Sequence, residues 1–251
     1  MKKGTEKLLW IVLLCILNLA LFTAYACADP FRIPERFVYD LTWTGIKAGT
    51  ASLELKSEGE KTIITSRAQS ADWVSVFYTV DDKVESVLLR THPHAFQMKQ
   101  LDYKLDTREG KHRKNKEVLF DPNKNKGTYI DYLSHERKEF DLPEPIFDPL
   151  SSFYYVRSLN LVVGKSVYVT VFDSKKIWNV EVQVLRREKV SLPLGTFDTI
   201  VVKPLMKSEG IFSRKGDILI WLTDDPKHIP VKMQTKVVVG SINATLVQGY
   251  Y

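Results

Sequence analysis

The stretch Gly49–Gly59, "GTASLELKSEG", alternates apolar and polar side chains residue by residue. On an extended chain this alternation places Ala51, Leu53 and Leu55 on one face and polar side chains on the other. A period of two is typical of a β-strand with one buried side and one solvated side. We therefore predict that this stretch is a strand of an antiparallel sheet.

The same alternation recurs later in the chain, in Ser166–Phe172, Ile177–Leu185 and Val231–Val239. Clusters of Gly, Pro, Asp and Asn separate these runs, as at Asp121–Asn123 and Pro193–Gly195. Short β-rich runs at spacings of about 10 residues favour an antiparallel sandwich or barrel over alternating strands and helices. The predicted fold class is all-β.

One segment departs from this period. Asp148 and Pro149 suit the N-cap and first turn of a helix, and the apolar residues that follow fall mostly three or four apart. We predict one short helix near residues 149–160, preceded by a proline-rich connection at 141–149 that joins two β halves. Residues 29–251 are predicted to form a single domain, because neither half has enough strands to hide both sheet edges.

Residues 1–28 have the three-part layout of a secretory signal. Lysines come first, Leu8–Phe22 is almost wholly apolar, and small residues follow. An uncleaved membrane anchor would need roughly 20 apolar residues, more than this run offers. We expect a cleaved signal peptide, a periplasmic product that starts near Asp29, and no remaining transmembrane span. The alternative is a lipoprotein acylated at Cys27, although its flanks match the usual site poorly.

Cysteine content and charge exclude some classes of protein. Cys15 would leave with the signal, so an internal disulfide is excluded in the mature chain. The full chain has a net charge of +6, which falls to +4 when Lys2, Lys3, Lys7 and Glu6 are removed. This surplus is mild, and because the protein is predicted to be exported, we expect no nucleic-acid partner.

The clearest cluster of potential catalytic groups is Asp224, Asp225 and His228. Neighbouring side chains on an extended chain point to opposite sides, so two adjacent aspartates do not face one substrate. The surrounding prolines favour a loop in which aspartates accept backbone hydrogen bonds. We predict a turn here and no catalytic role.

Metal and cofactor motifs are equally weak. His92 and His94 flank a proline and lack the further ligands that a metal site needs. His112 and His135 lie in charged surroundings and are expected to be solvated. No nucleophile elbow or glycine-rich phosphate loop is present. The sequence therefore predicts a protein that is not an enzyme, with no cofactor and no metal.

Basic residues concentrate between Arg108 and Lys126. They include Lys111, Arg113, Lys114 and Lys116, which flank one apolar strand. In one interpretation these side chains are the solvated tips of two β-turns. In the other they contact anionic lipid or lipopolysaccharide head groups, each adding on the order of 1 kcal/mol near an anionic surface.

Aromatic residues allow two interpretations as well. Trp43, Phe77, Tyr78, Trp178 and Trp221 could belong to the core of a sandwich. Alternatively they line an apolar cavity inside a curved sheet, as in barrels that hold one small ligand. We retain these five residues as candidate ligand contacts.

Four stretches together resemble the bacterial family called domain of unknown function 3108. They are "FVYDLTWTGIKAGTASLEL" (37–55), "DPLSSFYYVRSLNLVVG" (148–164), "LPLGTFDTIVVKP" (192–204) and "GDILIWLTDDPKHIPVKMQTKVVVGSINATL" (216–246). The resemblance spans nearly the whole mature chain. It implies an exported cell-envelope protein with a strongly curved antiparallel sheet or open β-barrel, and it supplies no functional residues.

Three functions follow as hypotheses. The first is a non-enzymatic binding or carrier domain for an apolar or amphipathic, lipid-like ligand. The second is an interaction protein that docks on another envelope component through exposed strand edges. The third, which the sequence favours least, is a hydrolase with a dispersed site.

Overall fold

A computed structural model of the chain describes residues 31–91, 98–173, 175–205, 218–237 and 240–251. The predicted signal peptide, Cys27, His92 and His94 lie outside these residues. The described strands are β1 (Glu35–Trp43), β2 (Ile46–Glu58), β3 (Lys61–Ser70), β4 (Val80–Arg90), β5 (Met98–Glu109), β6 (His112–Asp121), β7 (Lys126–Asp131), β8 (Glu136–Asp141), β9 (Ser166–Asp173), β10 (Lys176–Leu192), β11 (Gly195–Leu205), β12 (Ile218–Thr223), β13 (Pro230–Lys236) and β14 (Ser241–Tyr250). The helices are α1 (Asp72–Ser75) and α2 (Pro149–Arg157).

All the described strands belong to one antiparallel sheet. Each strand pairs with its neighbours in the chain, except that β8 and β9 do not pair with each other, and β1 also pairs with β14. This one long-range pairing joins β1–β8 to β9–β14 and leaves β8 and β9 at the two ends of the sheet. The predicted all-β, antiparallel class is confirmed.

The sheet curves until its two ends approach each other. The ring of Phe172 on β9 lies 5.2 Å from that of Phe140 on β8, and Lys175 contacts Glu136 at 3.0 Å. The sheet order nevertheless ends at β8 and β9, which do not pair among the described strands. Instead, Phe147 forms an isolated parallel bridge with Val171. The architecture is the predicted open barrel.

The alternation along β2 buries the side chains that the sequence of Gly49–Gly59 predicts to be buried. Leu53 and Leu55 on β2 are buried on the concave face, whereas Glu54 is partly exposed. They pack in one buried cluster with residues of β1, β3, β4 and β14. Gly49 is required here, because a Cβ atom would overlap the carbonyl oxygen of Gln69 on β3.

Helix α2 confirms the predicted helix and occupies the concave face of the sheet. It follows directly after the proline-rich connection, and its side chains join buried clusters formed by both halves of the sheet. The single turn of α1 was not predicted, because four residues are too few to show a helical period. Neither described helix is long and apolar enough to cross a bilayer.

Candidate functional site

A buried polar network fixes the N-terminus of α2 inside the curved sheet. The carboxylate of Asp148 accepts hydrogen bonds from the backbone amides of Leu150 (2.7 Å) and Ser151 (2.8 Å). Its other oxygen accepts from Ser86 on β4 (2.6 Å) and from the side-chain amide of Gln100 on β5. Burial raises the pKa of Asp148 to about 6, although these hydrogen bonds oppose the shift. The network joins the helix to β4 and β5.

A buried ion pair fixes the other end of α2. The Arg157 guanidinium contacts both carboxylate oxygens of Glu35, and its Nε donates to the carbonyl of His228 at 3.0 Å. The rings of Phe31 and Tyr154 each lie 4.8 Å from the guanidinium carbon. Burial lowers the pKa of Arg157, but the hydrogen bonds and charge of Glu35 outweigh it and raise the pKa overall.

The concave face is therefore filled by the protein's own side chains at the level of α2. Two clefts elsewhere in the described part have volumes of about 50 Å³ and about 250 Å³. Both fall below the roughly 300 Å³ at which pockets for small molecules begin. The larger is lined mainly by charged side chains, including Lys83, Glu85 and Lys104. Neither of these two clefts is large enough to enclose an acyl chain.

Beyond α2, toward the β1–β2 turn, part of the concave face carries small residues that keep some exposure to solvent. Ala51 pairs with Ala68, and Ala68 pairs with Asp82, so these side chains form one row across β2, β3 and β4. Strand alternation puts the row on the same face as Leu53, yet Ala51, Ala68 and Asp82 are only half-buried. We call this region, the concave face beyond α2, the open end of the sheet.

Aromatic and aliphatic side chains project beside the open end. Residues Trp73–Tyr78, in α1 and the loop that follows, form a segment that we call the lip. Phe77 is 83% exposed and Val76 is 76% exposed. The indole nitrogen of Trp73 donates to the carbonyl of Lys47 at 2.9 Å, which anchors the lip to the start of β2.

The lip also contacts the basic β5–β6 turn. The Gly110 amide donates to the carbonyl of Thr79 at 2.7 Å. A Cβ atom on Gly110 would lie only 2.7 Å from the ring of Tyr78, so this ring rests directly on the turn. Lys111, the next residue, is exposed. Apolar and cationic groups therefore lie side by side at this end of the sheet.

The five aromatic residues predicted as ligand contacts do not line one cavity. Trp43, Phe77 and Tyr78 are exposed at the end of the sheet that carries the lip. Trp221 is 4% exposed and donates to the Glu188 carboxylate. Trp178 lies half-buried on β10.

The four basic residues that were predicted to contact an anionic surface also differ in their exposure. Lys111 and Arg113 are exposed at the β5–β6 turn, whereas Lys114 and Lys116 are half-buried. Lys116 lies 3.7 Å from Asp131 and is therefore already paired. Of these four residues, the first two are therefore the exposed ones.

The cluster of Asp224, Asp225 and His228 forms a turn between β12 and β13. Asp225 accepts from the Lys227 amide (2.9 Å) and from the Thr223 hydroxyl (3.0 Å). Asp224 points instead to Arg187 at 2.6 Å. The two carboxylates thus serve different local contacts. His112 and His135 are exposed, and no group of three or more potential metal ligands occurs in the described residues.

The sequence profile of a family described as "Protein of unknown function (DUF3108)" matches residues 38–247. The chain belongs to this family. The family resemblance inferred from the four stretches is thereby confirmed. No curated protein matches the chain.

Three solved structures are similar to the chain at low sequence identity. A beta-barrel-like protein of domain of unknown function 1849 from Brucella abortus has a TM-score of 0.50 and 13% identity, over 86% of this chain and 97% of that one. A "putative lipoprotein" from Parabacteroides distasonis has a TM-score of 0.38 and 12% identity, over 89% and 98%. A "putative exported protein with YmcC-like fold" from Bacteroides fragilis has a TM-score of 0.36 and 12% identity, over 89% and 99%.

Sequence reasoning missed several residues that organise this site. Glu35 and Arg157 look like ordinary surface charges, because nothing local indicates their distant pairing. Trp73 was not among the five predicted ligand contacts. Asp148 was the one residue of the network that the sequence indicated. Its N-cap position was predicted, but its buried partners Ser86 and Gln100 were not.

Proposed function

We propose that this protein is a non-enzymatic periplasmic binding protein for an amphipathic, lipid-like ligand, which it holds at the open end of the curved sheet. One observation carries the proposal: the exposed lip stands between a concave face of small, half-buried residues and a cationic turn. An acyl chain matches the first two features, and an anionic head group matches the third.

The energetics of such binding are favourable for a flexible amphipath. Covering a side chain such as Phe77 or Val76 contributes about 1.5–3 kcal/mol. Lys111 and Arg113 would add electrostatic attraction for the head group. Ala51 and Ala68 leave room because a methyl group is the smallest side chain that still presents an apolar surface.

The proposal differs from an enclosed carrier of the kind suggested by the sequence. Helix α2, held by Asp148 and Arg157, occupies the position that a deep cavity would need. The ligand would therefore lie at the open end of the sheet, with much of its surface still in contact with solvent. Moderate affinity and fast exchange are expected.

Native mass spectrometry with lysophosphatidylglycerol as the probe tests this proposal. Ala51→Phe should fill the open end and lower uptake of the probe about 10-fold or more, the effect of about 1.4 kcal/mol. Thr50→Phe is the matched control, because the neighbouring side chain lies on the opposite, solvated face of β2. Failure of the wild type to take up the probe would contradict the proposal, as would equal uptake by Ala51→Phe.

The edge strand β9 favours a second candidate, docking of an envelope protein by strand addition. Tyr168 on β9 is 58% exposed, and Phe147 bridges the edge only farther along, at Val171. A photo-crosslinking residue in place of Tyr168 tests it. Recovery of one recurrent partner after delipidation would support docking, whereas crosslinks to lipid or to nothing would argue against it.

A further inference from the structure

The lip is held rigidly in an outward position. The Ala71 amide donates to the carbonyl of Ala48 at 2.8 Å, and the hydroxyls of Ser70 and Ser75 are 2.7 Å apart. Together with the Trp73 bond to Lys47 and the contact of Tyr78 with Gly110, these bonds tie the lip to β2, β3 and the β5–β6 turn. Its exposed apolar side chains are thus pre-organised rather than free to fold back.

Two lysines belong to or adjoin the backbone contacts that hold the lip. Lys47 adjoins Trp73, and Lys111 adjoins Tyr78 through Gly110. Lys47 is bonded to Asp40 at 2.6 Å, and Asp72 is an exposed acid within α1. The net attraction to an anionic surface is therefore modest, so apolar insertion has to supply most of the affinity.

The β1–β2 turn, at the same end of the sheet, also carries exposed apolar side chains. Ile46 is 59% exposed, and Trp43 on the facing strand is exposed as well. The Thr44 amide, at the tip of this turn, donates to the carbonyl of Ser241 at 3.3 Å, which braces it against the start of β14. Two braced turns therefore present large apolar side chains at the same end of the sheet.

We propose that the lip docks the protein on an anionic lipid bilayer, with Val76 and Phe77 inserted and Trp73 and Tyr78 at the level of the head groups. Tryptophan and tyrosine favour that interfacial level, and clusters of apolar side chains flanked by lysine are typical of peripheral membrane contacts. The inference deepens the proposed function and rests on it, since docking in this orientation turns the open end of the sheet toward the lipid that it would bind.

Vesicle flotation tests the docking. Wild-type protein should float with vesicles of phosphatidylcholine containing phosphatidylglycerol, and less with phosphatidylcholine alone. Val76→Ser combined with Phe77→Ser should weaken binding about 100-fold or more, because the variant loses both inserted apolar side chains. Lys111→Glu should weaken binding only to the anionic vesicles. Leu194→Ser is the matched control, since Leu194 is an exposed leucine on the β10–β11 turn, at the opposite end of the sheet.

The outcomes separate the two proposals. If the double lip variant floats like the wild type, or if the wild type does not float, bilayer docking is wrong. Lysophosphatidylglycerol uptake that persists in either case leaves the proposed function intact, whereas flotation without uptake overturns the proposed function alone. Sedimentation velocity tests whether the lip instead binds a second copy of the protein. If the wild type is a dimer and the double lip variant is a monomer, the lip is a dimer interface and membrane docking is wrong.

Discussion

Arg157 and Glu35, which are 122 residues apart in the chain, form a bidentate ion pair, in which the two terminal guanidinium nitrogens lie 2.8 and 2.9 Å from the two carboxylate oxygens. The same guanidinium donates to the carbonyl of His228, so it joins the end of α2, the start of β1 and the β12–β13 turn. The Arg157 side chain itself is fully buried. This residue explains how one helix is held against both halves of the sheet.

Loss of Arg157 should be among the most damaging single changes in the protein. Arg157→Met leaves Glu35 buried without a partner and should lower the free energy of unfolding by about 3–5 kcal/mol. Denaturant unfolding measures the change. Combining Arg157→Met with Glu35→Leu should recover much of the loss, because no charge then remains buried. A double variant that is as unstable as the sum of the single variants would contradict this role.

The raised pKa of Asp148 predicts a dependence of stability on pH. Its ordinary value is 3.8 and burial raises it to about 6 in the folded protein, so the unfolded chain loses this proton first as the pH rises. Stability from this group is therefore present below about pH 4 and is lost between about pH 4 and pH 6, by at most about 3 kcal/mol.

Asp148→Asn isolates this contribution because it keeps the helix cap and removes the titration. Between pH 4 and pH 6 the wild type should lose stability relative to this variant, as measured by urea unfolding at each pH. Burial raises the pKa of Asp82 to about 6 as well, so Asp82 could contribute to the same pH dependence. Asp82→Asn is therefore a useful control, because it shows how much of the dependence comes from this second carboxyl group. A difference between wild type and Asp148→Asn that does not change with pH would refute the prediction.

Two glycines on β2 and its following turn should differ sharply in their tolerance of alanine. A Cβ on Gly49 meets the backbone of β3, so Gly49→Ala should cost about 3 kcal/mol through overpacking. Gly59 has a positive φ of 60° but open space around it, so Gly59→Ala should cost only about 1 kcal/mol. Thermal unfolding compares the two. Equal losses would show that β2 and β3 are not packed this closely.

The sequence predicts the strands and α2 well because their signals are local. Alternation in Gly49–Gly59 and the cap at Asp148 are each readable within about ten residues. The pairing of β1 with β14 and the curvature of the sheet depend on contacts between distant segments, and the curvature was expected only through the family resemblance.

The candidate site was predictable only in fragments. Phe77, Tyr78 and Lys111 were each singled out, but their adjacency depends on the contact of the Tyr78 ring with Gly110, which no spacing in the sequence encodes. Trp221 shows the converse: an aromatic residue selected for a ligand site packs in the core. Trp221 packs in the same buried cluster as Leu53 and Leu55, and its indole nitrogen donates a hydrogen bond to the Glu188 carboxylate on β10.

The central claim is that an amphipathic ligand binds at the open end of the sheet and not beneath α2. Titration of isotope-labelled protein with lysophosphatidylglycerol, followed by amide chemical shifts in NMR spectra, tests it most directly. We predict saturable shifts at Ala51, Ala68, Trp73–Tyr78 and Lys111, with little change at Asp148 and Arg157. No saturable shifts, or shifts centred on α2, would contradict the account.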